Sequence, residues 1–210
     1  MEKFDVKDLS HEQVLKVKEI AASGYNREIY NTYFSMVRSG EDLAGFGNRA
    51  GYGKSDVKIY IGDSWFLMYR SNLTDVSISN WVATKEGESF SRTLEMMRAL
   101  KSVFLENRGK KFHTGLRHNT SYWLFRRLVE QKLCKVYEED WFFDKAMPRN
   151  LYKPEFNDDF CFGFEDRLEE KELRGTEEQM EYVIHAVTFK MTDNYYKKEK
   201  VKQKKKTTNN

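Results

Sequence analysis

Three short apolar runs follow one another near the middle of the sequence and constrain its fold more than any other feature. They read VKIYI from Val57, WFLMYR from Trp65 and VSISNWVA from Val76, and the breaks between them contain GDS and NLTD. Runs rich in β-branched and aromatic residues are typical of β-strands, and breaks this short join strands as antiparallel hairpins. The stretch therefore predicts a three-stranded antiparallel meander, against which the other elements must pack.

Two helices are predicted before the meander. The segment from Ser10 to Gln13 matches a capping box, and apolar residues then recur at helical spacing up to Gly24. A second apolar face runs from Ile29 to Val37, and the dipeptide Ser39-Gly40 indicates its end.

Helices and strands alternate after the meander. Apolar residues repeat at helical spacing from Phe90 to Phe104, and the strand-like segment KKFHTGLRH follows them. Asn119 is suited to cap a further helix, and KVYEEDWFFD from Lys135 predicts another strand. This order predicts an α/β (α+β) fold, in which a mixed, mostly antiparallel sheet is flanked by helices.

The C-terminal third of the chain has weaker patterns. Residues after Pro148 are aromatic and irregular, and we expect them to wrap around the main domain. A capping box at Thr176 to Gln179, followed by apolar residues up to Met191, predicts a C-terminal helix that runs toward the lysine-rich end. The predicted organisation is a main domain over 1–147, a wrap and helix over 148–196, and a basic tail over 197–210.

Composition excludes several classes of protein. No apolar run approaches the roughly 20 residues that span a bilayer, and the charged start lacks the apolar centre of a secretory signal. We therefore expect a soluble, cytoplasmic protein with no membrane partner. No CxxC pair occurs, and strand alternation places His113 and His118 on opposite faces, so we expect no metal site.

The order of elements over residues 1 to about 145 resembles the GNAT superfamily of N-acetyltransferases. Two helices, a meander, a helix, a strand, a helix and a strand follow one another as in that fold. The segment KKFHTGLRHNTSYWLFRRLVEQKLCKVYEEDWFF is most similar, because Asn119 takes the place of the Asn that often ends the family's fifth strand. The resemblance implies transfer of an acyl group from acetyl-CoA or another acyl-CoA to an amine.

The resemblance also implies roles for particular residues. In the family the fourth and fifth strands splay apart and pair with the pantetheine arm, and the next loop offers N–H groups to the pyrophosphate. The implied donor contacts are Trp81, Val82, Ala83, Lys85, Gly87, Ser89 and Asn119. His118 and Asp75 are the alternative bases, and Tyr122 replaces the family's catalytic Tyr.

A glycine-rich stretch, AGFGNRAGYGKSD over residues 44–56, contains two partial nucleotide-binding fingerprints. Counting back from Gly53 in the phosphate-loop pattern puts Asn48 where the first Gly belongs, and no strand precedes the stretch. We interpret it as a flexible rim on the acceptor side of the fold, where Arg49 and Lys54 supply charge to an acceptor or partner.

A second hypothesis is a non-catalytic binding or structural protein on the same scaffold. Its basis is the segment TKEGES, in which only Gly87 and the small Ser89 follow the family's loop pattern. Residues Lys197–Lys206 carry a net charge of +6, whereas the whole chain carries +3. Such a tail is typically a disordered solubilising end, and the alternative is a site for nucleic acid or another polyanion. The abundance of Lys, Asn and Tyr indicates an AT-rich genome and suggests a viral or phage source.

Overall fold

The structure is a computed structural model that describes residues 1–48, 56–86, 90–116, 119–148, 151 and 182–208. Its strands are β1 Glu2–Asp5, β2 Asp56–Ile61, β3 Trp65–Ser71, β4 Asp75–Ala83, β5 Lys111–Leu116, β6 Cys134–Phe143 and β7 Val183–Met191. Its α-helices are α1 His11–Gly24, α2 Arg27–Tyr33, α3 Gly40–Asn48, α4 Phe90–Glu106, α5 Asn119–Glu130 and α6 Asp193–Thr208, and a 3-10 helix covers Val6–Asp8.

The strands form one seven-stranded sheet in the order β1-β2-β3-β4-β5-β7-β6. Only the β4–β5 pair is parallel, and every other neighbouring pair is antiparallel. The predicted meander is confirmed as β2, β3 and β4, and so is the mixed, mostly antiparallel sheet with flanking helices. β1, which the sequence analysis did not detect, adds an edge strand beside β2.

Helices cover the sheet on two sides. α1 and α3 pack on β2, β3 and the end of β4, where Val17, Leu43 and Phe66 belong to one buried cluster. α4, α5 and the start of α6 pack on the opposite face, in a cluster that contains Phe104 and Phe112. The aromatic residues of the sequence thus fill two apolar layers, one on each side of the sheet.

Capping boxes fix the starts of two helices. Ser10 and Gln13 cap α1 reciprocally, as predicted. At α3 the Ser39 Oγ accepts from the Asp42 N–H at 3.1 Å, and the Asp42 carboxylate accepts from the Ser39 N–H at 3.0 Å. Ser39-Gly40 therefore begins a helix, where the sequence analysis predicted only an end and then a loop. A Cβ at Gly40 would lie 2.1 Å from the Val6 carbonyl oxygen, so only glycine fits there.

The glycine-rich stretch falls mainly outside the described residues. α3 extends through Asn48, so the first part of the predicted loop is helical. Residues 49–55, including Arg49 and Lys54, are not described, and their expected contact with an acceptor or partner stays a prediction.

The C-terminal prediction was wrong in its secondary structure. Val183–Met191 is strand β7, inserted between β5 and β6, instead of the middle of a helix. Val183, Val187 and Met191 are spaced four apart, so they fit a helical face, but in the structure they alternate with less buried residues on one side of a strand. The sheet thus includes residues beyond the predicted main domain of 1–147.

The lysine-rich end is helical as far as Thr208, although the sequence analysis favoured disorder. Its first turns are docked on α4, since the Tyr196 hydroxyl donates to the Phe104 carbonyl at 3.3 Å and Glu199 pairs with Lys101. The Arg108 guanidinium lies 4.7 Å from the centre of the Tyr196 ring. Two buried tyrosines and two ion pairs, Lys101–Glu199 and Arg108–Asp193, therefore hold the helix to the body of the protein.

The Glu106 carboxylate ties the last turn of α4 to three strands. It accepts from Lys3 Nζ at 2.5 Å, the Tyr60 hydroxyl at 3.1 Å and the Tyr69 hydroxyl at 3.2 Å. Partial burial raises the pKa of Glu106, but the hydrogen bond and charge of Lys3 and the two hydroxyls outweigh it, so the pKa lies below its ordinary value.

Replacing this carboxylate tests its contribution to stability. Glu106→Gln is expected to lower the free energy of unfolding by about 1 kcal/mol at pH 7, since the site is partly exposed. Because the pKa is lowered by folding, this contribution is full above the unfolded-state pKa of about 4.3 and disappears as the pH falls through the folded-state pKa. Urea unfolding between pH 7 and pH 3 measures it, with Glu19→Gln on the exposed face of α1 as control. A deficit that does not change with pH contradicts the assignment.

Candidate functional site

The parallel strands β4 and β5 part after a short paired stretch. Their pairing runs from Asp75 opposite Lys111 to Ile78 opposite Thr114, and no further β4–β5 pair occurs among the described residues. On the other side of β4 the register with β3 shifts, so that Ser79 is an extra residue. A bulge of this kind bends a strand. We call the resulting gap between Ser79–Ala83 and β5 the β4–β5 opening.

Three residues of the predicted donor site lie along this opening. Trp81 and Ala83 pack partly buried against the cluster under α4 and α5, and Val82 is buried on the opposite face of the sheet. The Trp81 Nε1–H is buried without a hydrogen-bond partner among the described residues. A buried donor without a partner costs free energy, which an acceptor on a bound ligand would recover.

The loop after β4 is held by an arginine. Arg92 Nη1 donates to the Thr84 carbonyl at 3.1 Å and to the Glu86 carbonyl at 3.0 Å. The Lys85 N–H donates to Ser23 Oγ at 3.3 Å, which ties the loop to α1. Gly87 and Ser89 lie outside the described residues, so their predicted contacts with a pyrophosphate are untested.

Two of the three predicted catalytic residues, Tyr122 and Asp75, do not line the opening. His118 lies outside the described residues, and Asn119 is the first residue of α5. Tyr122 is 3% exposed, and its ring lies 5.6 Å from His185 on β7 and 6.3 Å from Trp141 on β6. Tyr122 therefore lies in the core over β7 and β6. In the sheet these two strands lie on the far side of β5 from the opening.

Asp75 lies at the start of β4, whereas the opening begins at Ser79. Four residues of strand separate the two positions by about 13 Å. Thr74 and His113 both hydrogen-bond the Asp75 carboxylate, the latter at 3.1 Å, and these bonds hold the pKa of Asp75 below its ordinary value. His113 Nδ1 also lies 2.9 Å from Thr188 Oγ1, so the group links β4, β5 and β7. These bonds give Asp75 a structural role, and its role as a base stays a prediction.

A pocket of about 260 Å³ lies beside the opening, on the side of the sheet that carries α1 and α2. Two residues of β4 at the opening, Ser79 and Asn80, form part of its wall. Its other lining residues come from the segment that runs from the end of α1 to α3, from β3 and β7, and from the residues after β6: Tyr25, Ile29, Tyr33, Phe34, Leu43, Met68, Asp144, Lys145 and Ile184. We call this cavity the side pocket.

The polar groups of the side pocket are fixed by hydrogen bonds. The Tyr33 hydroxyl donates to the Asp144 carboxylate, at 2.9 Å from Oδ1 and 3.1 Å from Oδ2, and the Ala146 N–H donates to Oδ1 at 2.6 Å. Asp144 is only 3% exposed. Asn80 Nδ2 donates to the Tyr25 hydroxyl at 3.0 Å. A buried carboxylate and two phenols therefore share the lining of the cavity with Ser79, Asn80, Lys145 and five apolar side chains.

No local sequence pattern indicates this pocket. Tyr33 was assigned to the apolar face of a helix, and Asp144 was the last residue of a predicted strand. The two are 111 residues apart, so no local spacing connects them. The one available signal was a carboxylate directly after the hydrophobic run WFF, where burial of a charge requires a hydrogen-bonding partner.

The described residues contain no group of three or more His, Cys, Asp or Glu side chains able to hold a metal ion. In the same ranges no helix is long and apolar enough to cross a membrane.

No protein-family profile matches the sequence, and no curated protein is significantly similar to it. Several solved structures are similar in fold. One is the PaiA N-acetyltransferase of Thermoplasma acidophilum in complex with coenzyme A, 10% identical, with a TM-score of 0.45 over 91% of this chain and 100% of that chain. Another is the ribosomal-protein-S18-alanine N-acetyltransferase of Escherichia coli, 9% identical, with a TM-score of 0.43 over 90% of this chain and 92% of that one.

A third is a spermidine N-acetyltransferase chimera from Vibrio cholerae and hSSAT, 11% identical, with a TM-score of 0.41 over 93% of this chain and 98% of that one. Similarities of this size carry no information about activity. The resemblance implied a mixed, mostly antiparallel sheet whose fourth and fifth strands splay apart, and the chain's own topology shows both features and confirms the GNAT-like fold.

The hydrogen bond between Tyr33 and Asp144 is open to a direct test. Tyr33→Phe is expected to lower the free energy of unfolding by about 1 to 2 kcal/mol, because it removes one donor from a buried carboxylate. Tyr30→Phe, on the same helix and without a described side-chain hydrogen bond, is the control. Chemical denaturation at pH 7 measures both, and equal stability of the two variants contradicts the described pairing.

Proposed function

We propose that the protein is a GNAT-like N-acyltransferase that moves an acetyl or other acyl group from acyl-coenzyme A to an amine. One observation carries the proposal: the β4–β5 opening shares Ser79 and Asn80 with a pocket that contains a buried carboxylate. A thioester in the opening and an amine in the pocket would then meet at the same two residues, and such proximity is a large part of catalysis.

The residues around the opening fit an acyl-coenzyme A. β4 and β5 present backbone edges that no described strand pairs, which suits the amide groups of a pantetheine arm. Trp81 offers its buried N–H, and the loop held by Arg92 leads to the N-terminus of α4, where phosphates are favoured. The donor, when bound, supplies an acyl group activated as a thioester. Lys85, Gly87, Ser89 and Asn119 remain predicted contacts.

The side pocket supplies groups for proton transfer. Asp144 Oδ attracts an ammonium group and takes one proton from it, which leaves a neutral amine able to attack. The Tyr25 hydroxyl, held by Asn80 at the edge of the opening, is placed to give a proton to the sulfur that leaves. The C–N bond forms as the C–S bond breaks, and the net products are an amide, a thiol and one proton.

Donor binding gives the test. Acetyl-coenzyme A titrated by calorimetry is expected to bind, and Arg92→Gln to weaken binding about tenfold or more, because the loop loses two charge-assisted hydrogen bonds. Arg98→Gln, on the exposed side of the same helix, is the control and should bind as the wild type does. Absence of heat at millimolar acetyl-coenzyme A, or equal effects of both variants, contradicts the proposal.

A second candidate function is binding of nucleic acid through α6. The observation that favours it is that the lysine-rich segment continues a helix docked on the body of the protein by Tyr195, Tyr196 and Glu199. The helical backbone continues from these docked residues through the lysine-rich segment, and a cluster of charges of one sign attracts phosphates. In this case the protein would have no transferase activity and would bind nucleic acid through α6 on the same fold.

Truncation separates this function from the first. A stop after Lys200 removes four lysines and keeps the docked tyrosines, whereas a cut at Asp193 would remove the tyrosines as well. The truncated chain is expected to bind DNA more weakly, and its log affinity to depend on log salt with a slope smaller by up to about 3.6. Equal retention of both chains on DNA across a salt gradient excludes a role for this segment.

A further inference from the structure

Three lysines lie in a row across the strands β5, β7 and β6. Lys135 on β6 is paired directly with Lys190 on β7. One pair between β5 and β7 is Phe112 with Phe189. Lys111 precedes the first of these and Lys190 follows the second, so the two lysines are neighbours as well. Because both phenylalanines face the cluster under α4 and α5, alternation turns this lysine row to the other face of the sheet.

The lysine row forms no ion pair in the part of the chain that the structure describes. Asp75 lies opposite Lys111 in the β4–β5 register, but its carboxylate is already held by two side-chain hydrogen bonds. Glu138 on β6 is exposed and makes no ion pair among the described residues either. Like charges placed opposite each other destabilise a sheet, so an anion bound to the row would offset a cost that the free protein carries.

A tyrosine lies among these lysines. Tyr137 is the extra residue at a β-bulge in β6, since its two neighbours on that strand pair with consecutive residues of β7. A bulge can aim a side chain away from its regular direction, and the Tyr137 side chain is 46% exposed. The Nζ atoms of Lys111 and Lys135 lie 5.2 Å and 5.3 Å from the centre of its ring. The lysine row therefore surrounds an exposed aromatic ring.

Cations around an exposed ring fit one class of polyanion better than others. Single-stranded nucleic acid offers regularly spaced phosphates to the cations, and the flat faces of its bases stack on aromatic side chains. A duplex keeps its bases stacked on each other, so it could use the lysines but not the ring. A sulfated polysaccharide has charges and no aromatic face at all. The pairing of ring and cations thus favours the single strand.

We propose that the lysine row and Tyr137 form a binding site for single-stranded nucleic acid. The three lysines contact phosphates, and a base stacks on the Tyr137 ring as the ammonium groups move from the ring to the phosphates. The docked turns of α6 lie on the other face of the sheet, because Tyr195 and Tyr196 belong to the cluster under α4 and α5. The site therefore requires neither the lysines of α6 nor transferase activity.

Binding of the full chain to a labelled oligothymidylate of about 20 nucleotides, followed by fluorescence anisotropy, tests the stacking. Tyr137→Ala is expected to weaken binding about tenfold, because one stacked base is lost, whereas Tyr137→Phe keeps the ring and binds within about twofold of the wild type. Trp123→Ala is the control, because Trp123 is an exposed aromatic residue of α5, on the other face of the sheet. Equal affinity of the wild type and Tyr137→Ala overturns the proposal, as does equal weakening by Trp123→Ala.

The salt dependence of the same binding tests the cations. Lys111→Gln, Lys135→Gln and Lys190→Gln are each expected to reduce the slope of log affinity against log salt by about 0.7, the value for one phosphate contact with a single strand. Lys7→Gln is the matched control, because Lys7 is an exposed lysine of the 3-10 helix, away from the row. Unchanged slopes in all three row variants overturn the proposal.

Other polyanions separate this site from general attraction to negative charge. Tyr137→Ala should bind dextran sulfate, and the oligothymidylate paired with its complement, within about twofold of the wild type, since neither offers an unstacked base. Equal weakening for all three ligands contradicts base stacking and overturns the proposal. Loss of oligothymidylate binding in the chain that stops after Lys200, together with no effect of Tyr137→Ala, assigns the binding to α6 and also overturns it.

Discussion

The parallel pairing of β4 with β5 is the contact on which the rest of the structure depends. Four residue pairs, from Asp75–Lys111 to Ile78–Thr114, join the half of the sheet built from β1 to β4 to the half built from β5, β7 and β6. The Lys111 N–H adds a bond to the Thr74 carbonyl at 3.0 Å, and His113 adds one to Asp75. Because the pairing is confined to one end, the other end opens without separating the two halves.

The side pocket lies between the same two halves of the sheet. One wall belongs to α2 and β4, and the other to the residues after β6 and to β7, so a ligand there contacts both halves of the sheet. The bond from Tyr33 to Asp144 and the longer one from Tyr182 to Glu28, at 3.4 Å, cross between these walls. On β5, Gly115 leaves room for the Ile184 side chain of the pocket lining, because a Cβ there would lie 2.7 Å from it. The contacts that stabilise the junction between the two halves are therefore the same ones that line the proposed acceptor site.

Sequence patterns correctly predicted the elements that are determined by residues close together in the chain. The capping box of Ser10 and Gln13 and the alternation in β2 to β4 depend on near neighbours, and both appear as expected. β7 was missed because Val183, Val187 and Met191 fit a helical spacing as well as a strand, and only insertion between β5 and β6 decides between them. The opening was implied by the resemblance, but the pocket was not, since Tyr33 and Asp144 meet only through tertiary packing.

The central claim is that the end of β4 binds an acyl-coenzyme A beside the side pocket. Hydrogen–deuterium exchange of the full chain, with and without coenzyme A, tests it most directly. The account predicts slower exchange at the amides of Asn80–Glu86, and unchanged exchange in β1 and α6, which lie away from the opening. Exchange at Asn80–Glu86 that stays the same at saturating coenzyme A would contradict the account.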